Sequence, residues 1–259
     1  MSTPIRASDR DLRALAAIVS QDRPDLPADG GLPPSLLADL MGQIRCDKAD
    51  LLGFDSGRQA FWFFQEDPLV DEGEELHAAL KQAYWQHYWD SRFCSYPGRS
   101  RDLRSITKVT DFYSARQWHS TGMYTDHSRL LGFEHTLMLC LPEAPGQTAG
   151  PERHVRLYFN RGPGPDFSER DRAVLTLLRP HLHQAYLDAE RLRHPVPRLT
   201  PRQNDLLRLV AAGHTNTQIA RRLGISEGTV RTHLENIYDR LGVSSRTAAV
   251  TRAFAERVA

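Results

Sequence analysis

The sequence predicts two domains of different fold class, an α+β domain followed by an all-helical domain of four helices. Upstream, short apolar runs typical of strands alternate with apolar residues at helical spacing. Downstream, every apolar stripe has helical spacing and follows a capping residue. Between them, Pro195 and Pro197 remove backbone donors and favour extended backbone, so no helix should cross this point. We therefore predict domains at residues 1–193 and 199–259, joined by a short, stiff linker at residues 194–198.

Apolar residues at helical spacing predict four helices in the first domain. Pro180 lies inside the last of them and is expected to kink it. The apolar faces are Leu12, Leu15, Ala16 and Val19; Leu36, Leu37, Leu40 and Ile44; Leu76, Leu80, Tyr84 and Tyr88 within residues 74–89; and Leu175, Leu178, Leu182 and Tyr186 in a helix that opens at Ser168 and runs toward Leu192.

Four short apolar runs predict strands. Residues 49–54 and 60–64 are separated by a turn at residues 55–58, and residues 135–141 and 154–159 by a Pro/Gly-rich loop. Strands joined in this way pair antiparallel. The first domain is therefore predicted to be a mostly antiparallel sheet flanked by helices.

Charge is balanced overall but unevenly distributed. From Val196 onward there are ten Arg, no Lys and five acidic side chains, which gives +5, whereas the preceding chain has 23 basic and 27 acidic side chains, which gives −4. A basic module behind a slightly acidic body is typical of a nucleic-acid-binding protein with a separate regulatory part, although an ordinary solvated surface has a similar charge.

Several classes of protein are disfavoured. Cys46, Cys94 and Cys140 are widely spaced and form no CxxC pair, so we expect buried thiols and no zinc site or disulfide. The sequence contains no signal peptide and no run of about 18 apolar residues, so we expect a cytoplasmic protein. No nucleophile elbow, phosphate loop or HExxH sequence occurs, so we expect no catalytic residues, metal or cofactor.

The second domain has an unusual density of helix-capping signals. Thr200 with Gln203 and Thr215 with Gln218 fit capping boxes, Ser226 is placed to cap a third helix, and a fourth helix is expected to begin near Ser245. The second and third helices have the spacing of a helix-turn-helix, with a glycine at position 224 in the turn. The side chains of the third helix that turn away from its apolar stripe are Thr229, Arg231, Thr232, Glu235 and Asn236. Short polar groups and Arg on such a helix reach base edges in the major groove.

In these residues the chain resembles the LuxR-type helix-turn-helix family. The resemblance runs from LTPRQNDLLRLVAAG through TNTQIARRLGISEGTVRTHLENIYDRLGV to SSRTAAV, about a quarter of the chain. It implies a four-helix domain in which residues 216–235 form the helix-turn-helix, the third helix reads double-stranded DNA and the fourth mediates homodimerisation. Gln203, Gln218 and Glu235 depart from the family pattern, where Glu, Glu and a basic residue are usual. The predicted DNA-binding residues are Thr217, Arg222, Ser226, Thr229, Arg231, Thr232, Glu235 and Asn236.

The order of strands and helices in the first domain resembles the GAF-like domains that precede LuxR-type modules. Such a domain encloses a small-molecule pocket or serves as a dimerising scaffold. Aromatic side chains that would line a pocket are Trp62, Phe64, Tyr84, Trp85, Tyr88 and Trp118, although a core role explains most aromatics at such spacing. The order of acidic and aromatic residues disfavours a homoserine-lactone sensor, and the acidic pair and lysine of a receiver domain are missing.

The sequence thus predicts a dimeric transcription regulator that responds to a small molecule or a partner. The alternative is a protein-interaction module whose C-terminal helical bundle binds another protein instead of DNA. An enzyme with a regulatory tail is a third hypothesis, for which the sequence offers no substrate. Phosphate contacts release counterions, so salt-sensitive affinity would distinguish DNA binding from the alternative.

Overall fold

The computed structural model of the chain describes residues 9–21, 23–27, 30–68, 73–143, 152–193 and 199–254. These residues fall into two units, one that ends at Arg193 and one that comprises residues 199–254. The predicted linker at residues 194–198 and most of the predicted Pro/Gly-rich loop lie outside the described residues. Within those ranges, no helix combines the length and apolar character that a membrane span requires.

A five-stranded antiparallel sheet forms the centre of the N-terminal unit. Its strands are β1 (Lys48–Asp55), β2 (Ala60–Asp67), β3 (Thr107–Lys108), β4 (His135–Pro142) and β5 (Arg153–Arg161). They lie in the order β2-β1-β5-β4-β3, and all neighbouring strands are antiparallel. The α+β class and the four predicted strands are confirmed, and β3 was not predicted.

Helices cover both faces of this sheet, which explains why every residue of β1 is buried. One face packs against α1 (Asp9–Ser20), α2 (Pro34–Ile44) and α6 (Glu169–Arg193). The other face packs against α3 (Glu74–His87), α4 (Arg92–Ser100), α5 (Ala115–His119) and the turns around them. A strand between two helical layers has no solvent face, so its polar residues must find partners inside the protein.

Two of the predicted helix faces are partly wrong. In α1, Leu12 and Val19 are 50% and 42% exposed, while Asp11 and Leu15 are buried. The helix turns Asp11 inward because that carboxylate forms an ion pair with Arg170 of α6. In α3, Leu76 is 41% exposed. The apolar stripe of a helix predicts the wrong buried face when an ion pair with a residue distant in sequence determines which face is buried.

The segment between α3 and β4 contains short elements that sequence periodicity did not predict. They are α4, a 3₁₀ turn at Val109–Asp111, α5 and a π-helical turn at Tyr124–Ser128. Ser91 and Ser114 cap α4 and α5 by accepting hydrogen bonds from the backbone N–H groups of Cys94 and Gln117. Helices this short depend on such caps and on packing, because they have too few turns to show a stripe.

The C-terminal unit consists of α7 (Pro201–Ala211), α8 (Asn216–Leu223), α9 (Glu227–Leu241) and α10 (Arg246–Phe254). Both predicted capping boxes form: Thr200 Oγ1 accepts from Gln203 N–H at 3.2 Å and Thr215 Oγ1 from Gln218 N–H at 3.3 Å. The two glutamines are uncharged, but their side-chain Oε1 atoms accept hydrogen bonds from the backbone N–H groups of Thr200 and Thr215 and so complete the capping boxes. The core is one apolar cluster of Leu206, Leu207, Val210, Ile219, Ala220, Val230, Leu234, Ile237, Leu241 and Ala249.

Candidate nucleic-acid interface and ligand cavity

Helices α8 and α9 form a fixed pair in the C-terminal unit. α8 ends at Gly224, whose φ of 66° suits a residue without a side chain. Ser226 then caps α9 by accepting a hydrogen bond from Thr229 N–H at 3.1 Å. The Thr217 hydroxyl of α8 donates to Glu227 Oε2 at 3.0 Å, which ties the first turns of the two helices together. Val230 of α9 is fully buried in the same apolar cluster as Ile219 and Ala220 of α8, which holds the two helices together.

All of the predicted DNA-binding side chains are exposed to solvent. Some of their hydroxyls already have internal partners: Thr232 Oγ1, for example, donates to the backbone carbonyl of Gly228 at 3.2 Å. Arg231, Glu235 and Asn236 make no hydrogen bond or ion pair within the part of the chain that the structure describes. These three can recognise guanine, cytosine and adenine edges respectively. Their contacts with DNA remain predictions.

Two arginines, whose structural role the sequence did not indicate, hold the two ends of α8. Arg246 at the start of α10 donates to Asn216 Oδ1 at 3.1 Å and to the carbonyl of His214. Arg202 of α7 donates to the carbonyl of Leu223 at 2.6 Å, at the end of α8. Both ends of α8 are therefore attached to neighbouring helices. A cation near helix-terminal carbonyls gives no sequence signal beyond its charge.

A cavity of about 260 Å³ lies between the sheet and α3 in the N-terminal unit. Its apolar walls include Leu52, Phe61, Trp62, Phe64, Leu80 and Leu131. A smaller chamber of about 50 Å³ shares Tyr84, His127 and Tyr158 with it and extends to Trp118 and Met123. The volume of the main cavity, about 260 Å³, is slightly below the roughly 300–1,000 Å³ typical of ligand sites.

Charged groups of the first two strands line one side of the cavity. Lys48 Nζ lies 2.5 Å from Glu66 Oε2 and 3.9 Å from Asp50 Oδ1. Asn160 Nδ2 donates to Asp50 Oδ2 at 2.7 Å. Asp50 lies inside β1, and its side chain is part of the cavity wall.

Two buried ring nitrogens at the inner chamber have no hydrogen-bond partner among the described residues. They are Trp118 Nε1 and His127 Nδ1. Burial, with a smaller contribution from Lys48, lowers the pKa of His127 to about 4, so the ring is neutral at physiological pH. An indole N–H only donates, so Trp118 offers an unmet hydrogen bond to an acceptor in this chamber.

Four of the six predicted pocket residues line this space. Trp62, Phe64 and Tyr84 line the main cavity, and Trp118 lines the inner chamber. Trp85 and Tyr88 line neither space. Trp85 packs between Phe54 and Phe61, and Tyr88 is fully buried and accepts a hydrogen bond from Arg156.

A capped helix pair whose second helix exposes a polar face defines a helix-turn-helix DNA-binding domain. Residues 197–253 match the family described as bacterial regulatory proteins, luxR family. The C-terminal domain belongs to this family, which confirms the resemblance inferred from its sequence.

Among similar proteins, a transcriptional regulatory protein of Hyphomicrobium methylovorum, SgaR, is 49% identical over 79 residues, 30% of this chain and 37% of that protein. The HTH-type transcriptional regulator y4qH of Sinorhizobium fredii is 25% identical over 215 residues, 82% of this chain and 57% of that protein. The chain thus spans less than two thirds of either relative.

Solved structures of SdiA share the fold of the chain. Escherichia coli SdiA is 15% identical, with 95% of this chain and 96% of that chain covered and a TM-score of 0.52. SdiA in complex with octanoyl-rac-glycerol is 16% identical, with 97% of each chain covered and a TM-score of 0.54. The N-terminal unit therefore has an SdiA-like fold, for which the predicted term GAF-like is only a loose description.

Proposed function

We propose that the chain is a transcription regulator that binds double-stranded DNA through α9 as a homodimer and responds to a small molecule bound in the N-terminal cavity. The observation that carries the proposal is the exposed face of α9, where Arg231, Glu235 and Asn236 have no partner within the described residues. Residues 1–193 would form the sensing domain and residues 199–259 the DNA-binding domain. We propose no catalytic role.

The way in which such helices read DNA supports a homodimer. One recognition helix contacts only a few base pairs, and two of them reach major grooves about 34 Å apart on the same side of the duplex. The target is then an inverted repeat with half-sites about one helical turn apart. The family resemblance supports dimer contacts through α10.

The lining of the cavity supports the proposal that a small molecule binds there. It combines apolar walls with a few polar groups that converge from different elements, as ligand sites do. The protein SdiA, which shares this fold, has been solved in complex with octanoyl-rac-glycerol. We therefore propose that the ligand of this chain is a small, largely apolar molecule.

The test is a selection of bound duplexes from a random-sequence library by the full chain, with and without a mixture of small acylated molecules. We expect enrichment of an inverted repeat, and an affinity that falls steeply with salt because phosphate contacts release counterions. A chain that enriches no sequence under either condition, with weak binding that is insensitive to salt, would favour the protein-interaction module and contradict the proposal.

A further inference from the structure

The N-terminal unit buries one arginine that has no carboxylate partner among the described residues. Arg156 of β5 is completely inaccessible to solvent, and its guanidinium lies 3.6 Å above the ring of Phe54. All of its hydrogen bonds go to uncharged acceptors: His154 Nε2 at 2.7 Å, the Cys94 carbonyl at 2.8 Å, and the hydroxyls of Tyr88, Tyr158 and Tyr84 at 3.0, 3.1 and 3.4 Å. A buried cation is costly, so this network needs a reason beyond packing.

The guanidinium determines which way two phenols of the cavity wall donate. Tyr84 and Tyr158 line both chambers, and their hydroxyl oxygens are 2.9 Å apart. Because Arg156 can only donate, both oxygens accept from it. One phenolic proton is shared within the pair, and the second is left for another acceptor. Within the described residues, the partner recorded for this second proton is the Cys94 thiol beside Tyr84, and a thiol accepts a hydrogen bond only weakly.

A second donor points into the same space. Trp118 Nε1 is buried without a partner in the described residues and lies in the chamber that Tyr84 and Tyr158 share. A phenol and an indole thus converge from different elements, and each has a proton to donate. The missing partner is an acceptor oxygen, which a ligand would supply.

The charges around the cavity favour a ligand without net charge. Lys48, Asp50 and Glu66 line the wall and carry a net charge of −1, which the Arg156 cation behind Tyr158 balances. His77 and Lys81 also line the cavity, but both are exposed to solvent, which screens their charge. An anionic ligand would upset this balance beside Asp50, which lies opposite Tyr158 in the sheet.

We propose that Arg156 is a positioning residue that sets the Tyr84–Tyr158 pair as a donor, so that the inner chamber binds the carbonyl oxygen of an uncharged ligand. This inference rests on the proposed ligand-responsive function. It assigns a role in recognition to a side chain that does not itself line the cavity.

The experiment compares three probes with the full chain: octanoyl-rac-glycerol, its ether analogue 1-O-octyl-rac-glycerol, and octanoate. Binding is followed by tryptophan fluorescence, because all four tryptophans precede residue 119 and two of them line the cavity. We expect the ester to bind about tenfold more tightly than the ether, which lacks the carbonyl, and than octanoate, which carries a charge.

Substitutions separate recognition from folding. Tyr158→Phe, Tyr84→Phe and Arg156→Met should each reduce the ester-to-ether preference toward unity, whereas a purely structural loss would weaken both probes equally. Tyr113→Phe is the matched control, because this buried phenol lies outside the cavity and accepts from the backbone N–H of Arg92 at 2.6 Å. If Arg156→Met does not fold, the two tyrosine variants carry the test.

Three results would overturn the inference: an unchanged preference in both tyrosine variants, tightest binding of octanoate, or no binding of any probe. The same protein preparation is also used in the duplex selection. An enriched inverted repeat together with any of these results would leave the proposed DNA binding intact and refute only the assignment of the ligand site.

Discussion

The two units of this chain handle polar side chains in opposite ways. Within the described residues, every buried charged side chain lies in the N-terminal unit, among them Lys48, Asp50, Arg156 and Asp171. The C-terminal unit has a purely apolar core and keeps its charged side chains at the surface or only partly buried. The recognition groups that we propose therefore lie inside the N-terminal unit, where they also contribute to folding, and on the surface of the C-terminal unit, where they do not.

This difference predicts how substitutions separate stability from function. In the N-terminal unit, a change to a recognition group alters packing or leaves a buried partner unsatisfied, so binding and stability should change together. In the C-terminal unit, changes on the outer face of α9 should alter DNA binding alone. The tryptophans allow the test, since all of them belong to the N-terminal unit and report its unfolding separately.

The largest effect is expected from truncation of the aromatic core beneath Arg156. Phe54→Ala should lower the free energy of unfolding of the N-terminal unit by about 3–5 kcal/mol, because it leaves a cavity and removes the ring under the guanidinium. Urea unfolding followed by tryptophan fluorescence measures it. Leu130→Ala, at a side chain 56% exposed, is the control and should change stability by no more than about 0.5 kcal/mol. Similar unfolding midpoints for the two variants would contradict the assignment of this core.

Acid should destabilise the N-terminal unit through His127. Its pKa is about 4 in the folded unit, below the ordinary value of 6.5, so the unfolded chain binds the proton first as the pH falls. The contribution of this neutral ring is complete above about pH 6.5 and decreases toward pH 4. Between pH 7 and 4.5 the loss should be about 2–3 kcal/mol.

The measurement is urea unfolding at both pH values for the natural chain and for His127→Asn. The variant cannot titrate at this position, so its loss between the two pH values should be smaller by that amount. An equal loss in both proteins would show that His127 is not the responsible group.

On the outer face of α9, Arg231→Ala should reduce discrimination between the selected inverted repeat and random duplex by about 1–3 kcal/mol, because a bidentate contact to a base is lost. Arg222→Ala on α8 is the matched control. It should weaken binding to both duplexes alike and reduce the slope of log affinity against log salt by about 1, as a phosphate contact does. Neither variant should change unfolding followed by tryptophan fluorescence. Identical losses on both duplexes for Arg231→Ala would remove this residue from base recognition.

The smallest effect is expected from the cap of α8. Thr215→Ala removes the side-chain oxygen that accepts from Gln218 N–H and should destabilise the C-terminal unit by about 1 kcal/mol. Thr215→Ser keeps the hydroxyl and should retain most of that stability. Far-UV circular dichroism follows this transition, while tryptophan fluorescence should stay unchanged. A shift in the tryptophan signal would mean that the two units unfold together.

The sequence predicted the structure of the C-terminal unit better than that of the N-terminal unit. The helices and caps of the C-terminal unit were predicted because a cap such as Thr215 and its partner lie three residues apart. The orientation of α1 was not predicted, because the Arg170 that turns Asp11 inward is 159 residues away. Local chemistry can be inferred from sequence, whereas a long-range ion pair cannot.

The cavity of the N-terminal unit illustrates the same limit. Trp62, Phe64, Tyr84 and Trp118 were predicted as aromatic pocket residues and do line it. Arg156 and Tyr158 were not predicted, because alternating polar residues in a strand normally indicate a solvent face. That face is covered here by short helices whose own periodicity is too weak to reveal them.

At the bulge between β1 and β2, the indole of Trp62 lies so close over Gly53 that a Cβ atom has no room there. Substitution of Gly53 is therefore a way to change the shape of the cavity from a position that does not itself line it. A methyl group at this position would push the indole, and one wall of the cavity with it, together with the Arg153 guanidinium that lies 4.4 Å from that ring.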